Sequence, residues 1–356
     1  MTTEIFIEKQ GFMGDGIGYI NGQKTIVPFA AKGDTLKVKI IKQNSKLIQA
    51  EIVEVVSPSP MRAVPPCKYF GICGGCEMQH LNQDLYIQTK LEVVRNAINR
   101  AGGLIENIEF IDVSPKSRRK AKFHTKNGKI GFYKRNSKDI VEINSCEVLS
   151  DKIIEKLKSI RKNGASTEVI ELVEENTIDI AGFKVPYNGF FLQASRDTNE
   201  IIANLILPTL NNDDKISDLF SGVAAYSLYL YKHALKFDAF DGDDKIDNVI
   251  SSLKVNHQID NIRFFTRDLF KSPLSHKELP KYDSIIINPP KNGAEPQFIE
   301  IAKSKVKNVH IVSCSPISLE RDLQHLVQAG YKIQKAALID QFKWSSHSEV
   351  YLHLIR

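Results

Sequence analysis

Long apolar runs are missing from this sequence of 356 residues. No stretch approaches the roughly 20 residues that a membrane-spanning helix needs, so no membrane partner is expected. The opening MTTEIFIEK lacks the basic-then-apolar pattern of a secretory leader, and a cytoplasmic location is expected. Cysteine is sparse, five in all, which in that compartment argues against a disulfide framework. Repeats and low-complexity tracts are absent. Acidic residues also vanish over one interval, from Asp112 to Asp139.

That interval is filled with Lys116, Arg118, Arg119, Lys120, Lys122, Lys126, Lys129, Lys134 and Arg135, interleaved with Phe123, His124, Phe132 and Tyr133. Basic groups displace counterions from phosphates and aromatic rings stack on unpaired bases, so the tract reads as a nucleic-acid surface. The alternative is a solvated strand pair. The formal charge of +6 leans the same way as the tract, mildly. Hydrophobic content of 42% and charged content of 25% are ordinary for a globular protein, and the length allows two or three domains.

Residues 1–58 alternate short strand patterns (EIFIEKQGF, GIGYINGQKTIVPF, DTLKVKII, KLIQAEIVEVV) with glycine turns, which predicts a small closed barrel. The proline-rich SPSPMRAVPP follows as a linker. Ile87, Leu91, Val94 and Ile98 then repeat at helical spacing, with a stop at Gly102-Gly103. From about residue 191 apolar strands alternate with helices: KISDLFS, KFDAFDG, IRFFTRD, YDSIIINPP and VHIVSCS. This is the pattern of a parallel α/β sheet, in which ligands sit beyond the carboxyl ends of the strands. Asp218, Asp241, Asp268, Asn288 and Cys314 all fall at such ends. Three regions are expected: 1–58, 59–190 and 191–356.

DLFSGVAAYSL is a nucleotide-type turn, acid then strand end then small residues then helix. Asp241, ending the next strand, suits the two hydroxyls of a ribose, and Asp268 ends the third. The plain alternative is that DGDD is only a turn. In NPPK, residues 288–291, two prolines leave carbonyls and the Asn288 amide for a planar ligand. Cys314 is the candidate nucleophile. A pyrimidine is unreactive at C5 until something adds at C6, and a thiolate adds and leaves readily. A base must afterwards take the C5 proton. Glu349, heading the last apolar strand, is the candidate, with His347 as competitor. Finally Cys67, Cys73 and Cys76 form C-x5-C-x2-C, with Cys146 as a possible fourth thiolate for zinc or an iron–sulfur cluster.

Taken together these motifs resemble the bacterial RNA uracil-5-methyltransferases, in particular the TRAM-containing branch acting on 23S ribosomal RNA. The resemblance implies a Rossmann-like class I methyltransferase domain over 191–356, an OB-type TRAM domain over 1–58 and a central β-rich iron–sulfur region over 59–190. It implies S-adenosylmethionine as cofactor, bound through Gln193 of FFLQAS, Phe220, Ala225 and Asp241. Asp268 and Asn288 join that set from their strand-end positions. It further implies a [4Fe-4S] cluster on Cys67, Cys73, Cys76 and Cys146, with Cys314 as nucleophile and Glu349 as proton acceptor. The helix at 86–103 is expected to pack on the catalytic domain.

The chain departs from the family at Asn288 and Lys291, where aspartate and arginine are usual, and at Ala224, where glycine is usual. Ala225 also replaces a polar residue common in the family. Asn288-Pro-Pro also resembles amino-group methyltransferases, but Lys291 cannot stack as their aromatic does. A non-catalytic RNA-binding relative is the rival from another class. RNA is the expected partner, 23S rRNA or otherwise tRNA, and the chain is expected to act as a monomer.

Overall fold

The computed structural model describes residues 2–164 and 167–356. Among them no helix is long and apolar enough to cross a membrane. The chain divides into two compact units. One holds the chain through Val93, Lys120–Leu172 and Phe342–His347. The other holds Val94–Arg119, Val173–Gln341 and Ser348–Arg356. The central stretch expected at 59–190 is thus shared between them.

In the first unit, β1 (Thr2–Gln10), β2 (Gly16–Ile20), β3 (Gln23–Val27), β4 (Thr35–Gln43) and β5 (Ile48–Ser57) close a barrel in the order β1-β2-β3-β5-β4. Period-two alternation turns Ile5, Ile7, Val27, Leu36, Val38 and Ile48 inward to fill it. The proline-rich linker is anchored: buried Asp34 accepts from Ser59 N at 2.9 Å and from Arg62 Nη2 at 2.6 Å. Then come α1 (Gln83–Arg100) and β6 (Glu109–Ile111). A four-stranded sheet follows, from β7 (Lys120–Lys126), β8 (Lys129–Tyr133), β9 (Ile140–Val141) and β10 (Val169–Val173), ordered β10-β7-β8-β9. The β7–β8 turn puts Asn127 at φ 52° and Gly128 at φ 73°, the paired left-handed geometry of a tight hairpin. Helix α2 (Asp151–Asn163), capped by Ser150, lays Ile153, Ile154 and Leu157 against Phe123 and Ile130.

The second unit adds a hairpin, β11 (Thr177–Ile180) and β12 (Phe183–Pro186), before an alternating α/β run. Its members are α3 (Thr198–Ile206), β13 (Lys215–Leu219), α4 (Ala225–Leu230), β14 (Lys236–Asp241), α5 (Lys245–His257) and β15 (Ile262–Thr266). They continue with β16 (Ser284–Ile287), α6 (Glu295–Lys303), β17 (Asn308–Ser313), α7 (Pro316–Gln328), β18 (Lys332–Ile339) and β19 (Glu349–Ile355). The sheet runs β15-β14-β13-β16-β17-β19-β18-β6, with β19 antiparallel to both neighbours. Burial on both faces explains the uninterrupted apolar runs, such as Ile285–Ile287. The order reverses at β13 and β16, the switch point where such sheets bind ligands. Of the expected catalytic-domain helix, only the half from Val94 onward belongs to this unit. There Arg100 pairs with Glu320 of α7 at 2.8 Å.

Candidate active site

The strand-end residues fall where the parallel sheet should gather them. Asp241 is the last residue of β14, and Asp268 lies two past β15. Asn288 follows β16 directly, and Cys314 follows β17. Glu349 enters from the opposite direction as the first residue of β19. In the antiparallel β17–β19 register Ser313 faces Val350, so Cys314 and Glu349 occupy the next opposed position. Two side chains 35 residues apart in sequence are thereby cross-strand neighbours.

Glu349 is 2% exposed. Burial pushes its carboxyl up to about 7, against hydrogen bonds from Gln341 and Gln193 that favour the ion. Such a group is poised to exchange a proton near neutrality. Cys314 is half-buried, and burial, with the Glu349 carboxyl adding to it, pushes its thiol up to about 11. At rest the sulfur therefore keeps its proton. Lys291 pulls the other way, so a positive charge is retained although arginine's planar fork is lost. Cys314 also immediately precedes α7, whose N-cap Ser315 accepts from Ser318 N and whose first turn carries Pro316. A helix N-terminus favours thiolate over thiol. The turn bearing Lys291 is pinned to α7 by the Ser318 hydroxyl, which donates to the Lys291 carbonyl at 3.0 Å.

A chain of buried amides and one phenol runs from Glu349 toward β13. Gln341 Nε2 donates to Glu349 Oε2 at 2.7 Å and to Gln193 Oε1 at 2.8 Å. Gln193 Nε2 donates to the Tyr226 hydroxyl at 3.2 Å, and Asn288 Nδ2 lies 3.4 Å from the same oxygen. Gln341 belongs to no motif read in the sequence, and Tyr226 lies within DLFSGVAAYSL with no role read for it there. The available signal for Gln341 was an uncharged polar residue two positions beyond the apolar run Ala336–Ile339 that ends β18.

Beyond β13 the backbone bends sharply, with Phe220, Gly222 and Ala224 at φ 56°, 52° and 53°. A Cβ added at Gly222 would meet nothing within 4 Å, so that side of the loop is open for a ligand. Asp241 holds the loop: Oδ2 accepts from Gly222 N at 2.8 Å and Oδ1 from Asp243 N at 3.0 Å. Asp218 is fully buried and accepts from the Ser227 hydroxyl through Oδ2, while Oδ1 has no partner. Burial raises it to about 7. Ala225 begins α4 beside this loop. Asp268 is exposed and occupied within its own loop, accepting from Phe270 N and Lys271 N. These groups suit a nucleoside with a charged tail: an acid at the second strand, an open small-residue loop at the first, and the Phe220 ring packed on Phe270 at 5.2 Å.

The basic tract is not one surface. Arg119 is 4% exposed, its Nε donating to the Gln193 carbonyl at 3.2 Å. Its own N–H donates to Ala194 O at 2.9 Å, so it braces the FFLQAS segment. Lys120 pairs with Glu171, and Arg135 pairs with Asp15 and covers the Phe29 ring. Phe123 is buried and stacked on Phe132, so neither is a platform for bases. Alternation explains this division: every second residue of β7 faces the unit's own core. Lys122, Lys126, Lys129 and Lys134 remain at the surface, near a His124–Tyr133 stack at 3.9 Å. His347 is exposed, its ring against Phe342.

Cys67, Cys73, Cys76 and Cys146 all lie in the first unit, and none is in a disulfide. Cys76 feels the charge of Cys67, Cys73 and Cys146, and burial pushes it up to about 12. Val148 N and Leu149 N both point at Cys146 Sγ, at 3.4 and 3.5 Å. The donors thus share a neighbourhood, and four sulfurs are the right chemistry for an iron–sulfur cluster. Yet among the described residues no three or more His, Cys, Asp or Glu side chains form a group that could hold a metal ion. Burial raises the Cys73 and Cys76 thiols, which favours their protonated forms over the thiolates that a metal takes.

Comparison with known proteins agrees with the barrel and the sheet. A family model described as TRAM domain matches residues 1–53, and one described as tRNA (Uracil-5-)-methyltransferase matches residues 242–356. An RNA methyltransferase of Rhizobium meliloti is 30% identical, the alignment covering 98% of each chain. A 23S rRNA (uracil(1939)-C(5))-methyltransferase of Shewanella amazonensis is 25% identical, covering 96% of this chain and 93% of its own. The solved tRNA (uracil-54, C5)-methyltransferase of Pyrococcus abyssi, in complex with S-adenosyl-L-homocysteine, shares the fold with a TM-score of 0.73 at 19% identity, over 100% of both chains. With a cysteine and a glutamate opposed at the carboxyl end of β17 in an alternating α/β sheet, and near-full-length relatives of this kind, the chain belongs to the family of S-adenosylmethionine-dependent RNA uracil-5-methyltransferases.

Proposed function

We propose that this enzyme methylates C5 of a uridine in 23S ribosomal RNA through a covalent bond between Cys314 and C6 of the base. The observation that carries the reading is the opposed Cys314–Glu349 pair at the end of β17. Gln193, Phe220, Ala225, Asp241, Asp268 and Asn288 would hold S-adenosylmethionine, with Asp241 toward the ribose. When bound, S-adenosylmethionine supplies an electrophilic methyl group. Cys314 gives up its proton to solvent and its sulfur bonds to C6, sending the C5=C6 electrons onto C5 and the C4 carbonyl. Lys291 and the α7 N-terminus favour the sulfur anion in this step. After C5 carries the methyl, Glu349 takes the C5 proton, the double bond re-forms and the thiolate leaves. A carboxyl near 7 is matched to that task.

Relatives named for 23S rRNA that align over nearly the whole chain favour that substrate; tRNA is the second reading, motivated by the Pyrococcus abyssi structure. Mass-spectrometric mapping of 5-methyluridine in total RNA, with and without the gene, decides between them. Loss of the mark from tRNA alone would refute the ribosomal assignment. Loss of neither would favour the amino-group or non-catalytic alternatives. Action as a cytoplasmic monomer belongs to the same proposal, as does the division into regions 1–58, 59–190 and 191–356. So does a structural [4Fe-4S] cluster on Cys67, Cys73, Cys76 and Cys146, supported by the shared neighbourhood of the four thiols. Protein purified without oxygen should then be brown and contain iron; a colourless zinc protein would overturn the cluster.

A further inference from the structure

We propose that Gln341 is a positioning residue that clamps the cofactor-binding Gln193 and the proton acceptor Glu349 into one hydrogen-bonded unit. The inference rests on the roles just proposed for those two residues. All three side chains are at most 3% exposed. The orientation of the Gln341 amide is fixed by its surroundings. Its Oε1 accepts from the backbone N–H of Ala194 at 3.0 Å and lies 3.5 Å from that of Ser195. Turning the amide over would set its NH2 against those donors, so the NH2 must face the other way. There its two protons go to Gln193 Oε1 and Glu349 Oε2. No proton of that amide is left for a third partner. Gln193 in turn has its carbonyl accepting from Arg119, on the other side of the same segment. Gln341 therefore touches the backbone of the cofactor segment, the cofactor amide and the base together.

Two consequences follow. Cofactor affinity depends on Gln341 because Gln193 is oriented by it. The base depends on it because a donated hydrogen bond favours the carboxylate over the acid. The other charged or titratable groups around Glu349 are the Cys314 thiol from the end of β17 and Tyr226 from α4, with Lys291 acting on Cys314 from beyond β16. None of them donates to Glu349; its other donor is Gln193, which Gln341 itself holds, so loss of Gln341 disturbs both hydrogen bonds on the carboxyl.

The test uses the full chain with Gln341→Met, which keeps bulk and removes every hydrogen bond. Gln341→Glu keeps an acceptor for Ala194 N–H but replaces the donors with a second carboxylate. The substrate is total RNA from a strain lacking the gene. The covalent protein–RNA fraction is read on a denaturing gel between about pH 6 and 9, and S-adenosylhomocysteine affinity by calorimetry. In both variants the adduct should persist at neutral pH. It should clear only about one pH unit or more above the wild-type midpoint, the size expected for one hydrogen bond to a charged group. Affinity for S-adenosylhomocysteine should fall at least about fivefold. A merely structural role would slow turnover at every pH and leave the midpoint in place, which would overturn the proposal. So would a fall in affinity without a shift in midpoint. If Gln341→Met does not fold, Gln341→Glu answers alone. Glu349→Gln separates the two levels. Should that variant turn over normally, the reading of the base has failed. Should it trap adduct while the Gln341 variants match wild type, only the clamp has failed.

Discussion

Replacing Glu349 with glutamine should make the protein more stable and less active, and the stability gain should appear only above acidic pH. In the unfolded chain the carboxyl ionises near 4.5; in the folded protein it is held to about 7 by burial. Below 4.5 both states keep the proton, and the group makes no pH-dependent contribution. As pH rises from 4.5 to 7 the unfolded state releases the proton first, so wild-type stability falls over that window and then levels. A difference of about 2.5 pH units corresponds to ~3 kcal/mol at 1.36 kcal/mol per unit. Glutamine has the same shape, still offers an oxygen to Gln341 Nε2, and has no charge to bury. Glu349→Gln should therefore melt with wild type at about pH 4.5 and several degrees above it at pH 8. Differential scanning calorimetry of both proteins across that range is the assay. Parallel melting temperatures at all pH values would refute the burial argument, and a variant that is less stable at pH 8 would reverse it.

Cys314→Ala should form no covalent RNA adduct, whereas Glu349→Gln should accumulate a methylated one as a retarded band; turnover by Cys314→Ala would end the nucleophile assignment. Arg119→Ala should destabilise the protein by about 1–3 kcal/mol in denaturant melts, because it leaves the buried Gln193 main-chain carbonyl without its side-chain donor while the main-chain bond to Ala194 survives. The RNA salt dependence of that variant should be unchanged. Alanine at Lys122, Lys126 and Lys129 together should do the reverse, leaving stability near wild type while flattening the slope of RNA affinity against salt; an unaltered slope would return those lysines to plain solvation. Asp241→Ala should weaken S-adenosylhomocysteine at least tenfold in calorimetry, since it removes both the proposed ribose acceptor and the clamp on Gly222.

The α/β rhythm made the site legible. Strands of a parallel sheet end on one side, so Asp241, Asn288 and Cys314 could be placed together from periodicity alone, and Glu349 followed from heading an apolar strand. The barrel was legible because alternating residues and turns recur at short intervals. Other parts were hidden for identifiable reasons. Gln341 and Tyr226 are neutral, fit no spacing rule and meet their partners only when the sheet closes. Strand β6 has three residues, too few to show a period, and pairs with β18 more than 200 positions away. Arg119 sits in a basic run whose members look alike in sequence, although strand alternation and the brace on Gln193 bury it while Lys122 is left in water. The cysteine spacing identified a donor set but could not supply the distances between its sulfurs.

The division of the chain carries a consequence for biosynthesis. The polypeptide passes between the units after Val93, Arg119, Leu172, Gln341 and His347. The last two crossings bracket the short stretch between Gln341 and Glu349. The first unit lacks its final piece until His347 has been made, and the second lacks its antiparallel strand until Glu349–Ile355 has been made. The proposed nucleophile Cys314 and base Glu349 are separated in sequence by that same late segment. A nascent chain can fold its barrel early, but neither unit is complete, and the proposed proton acceptor is not in place, until the segment from Phe342 through β19 has been made.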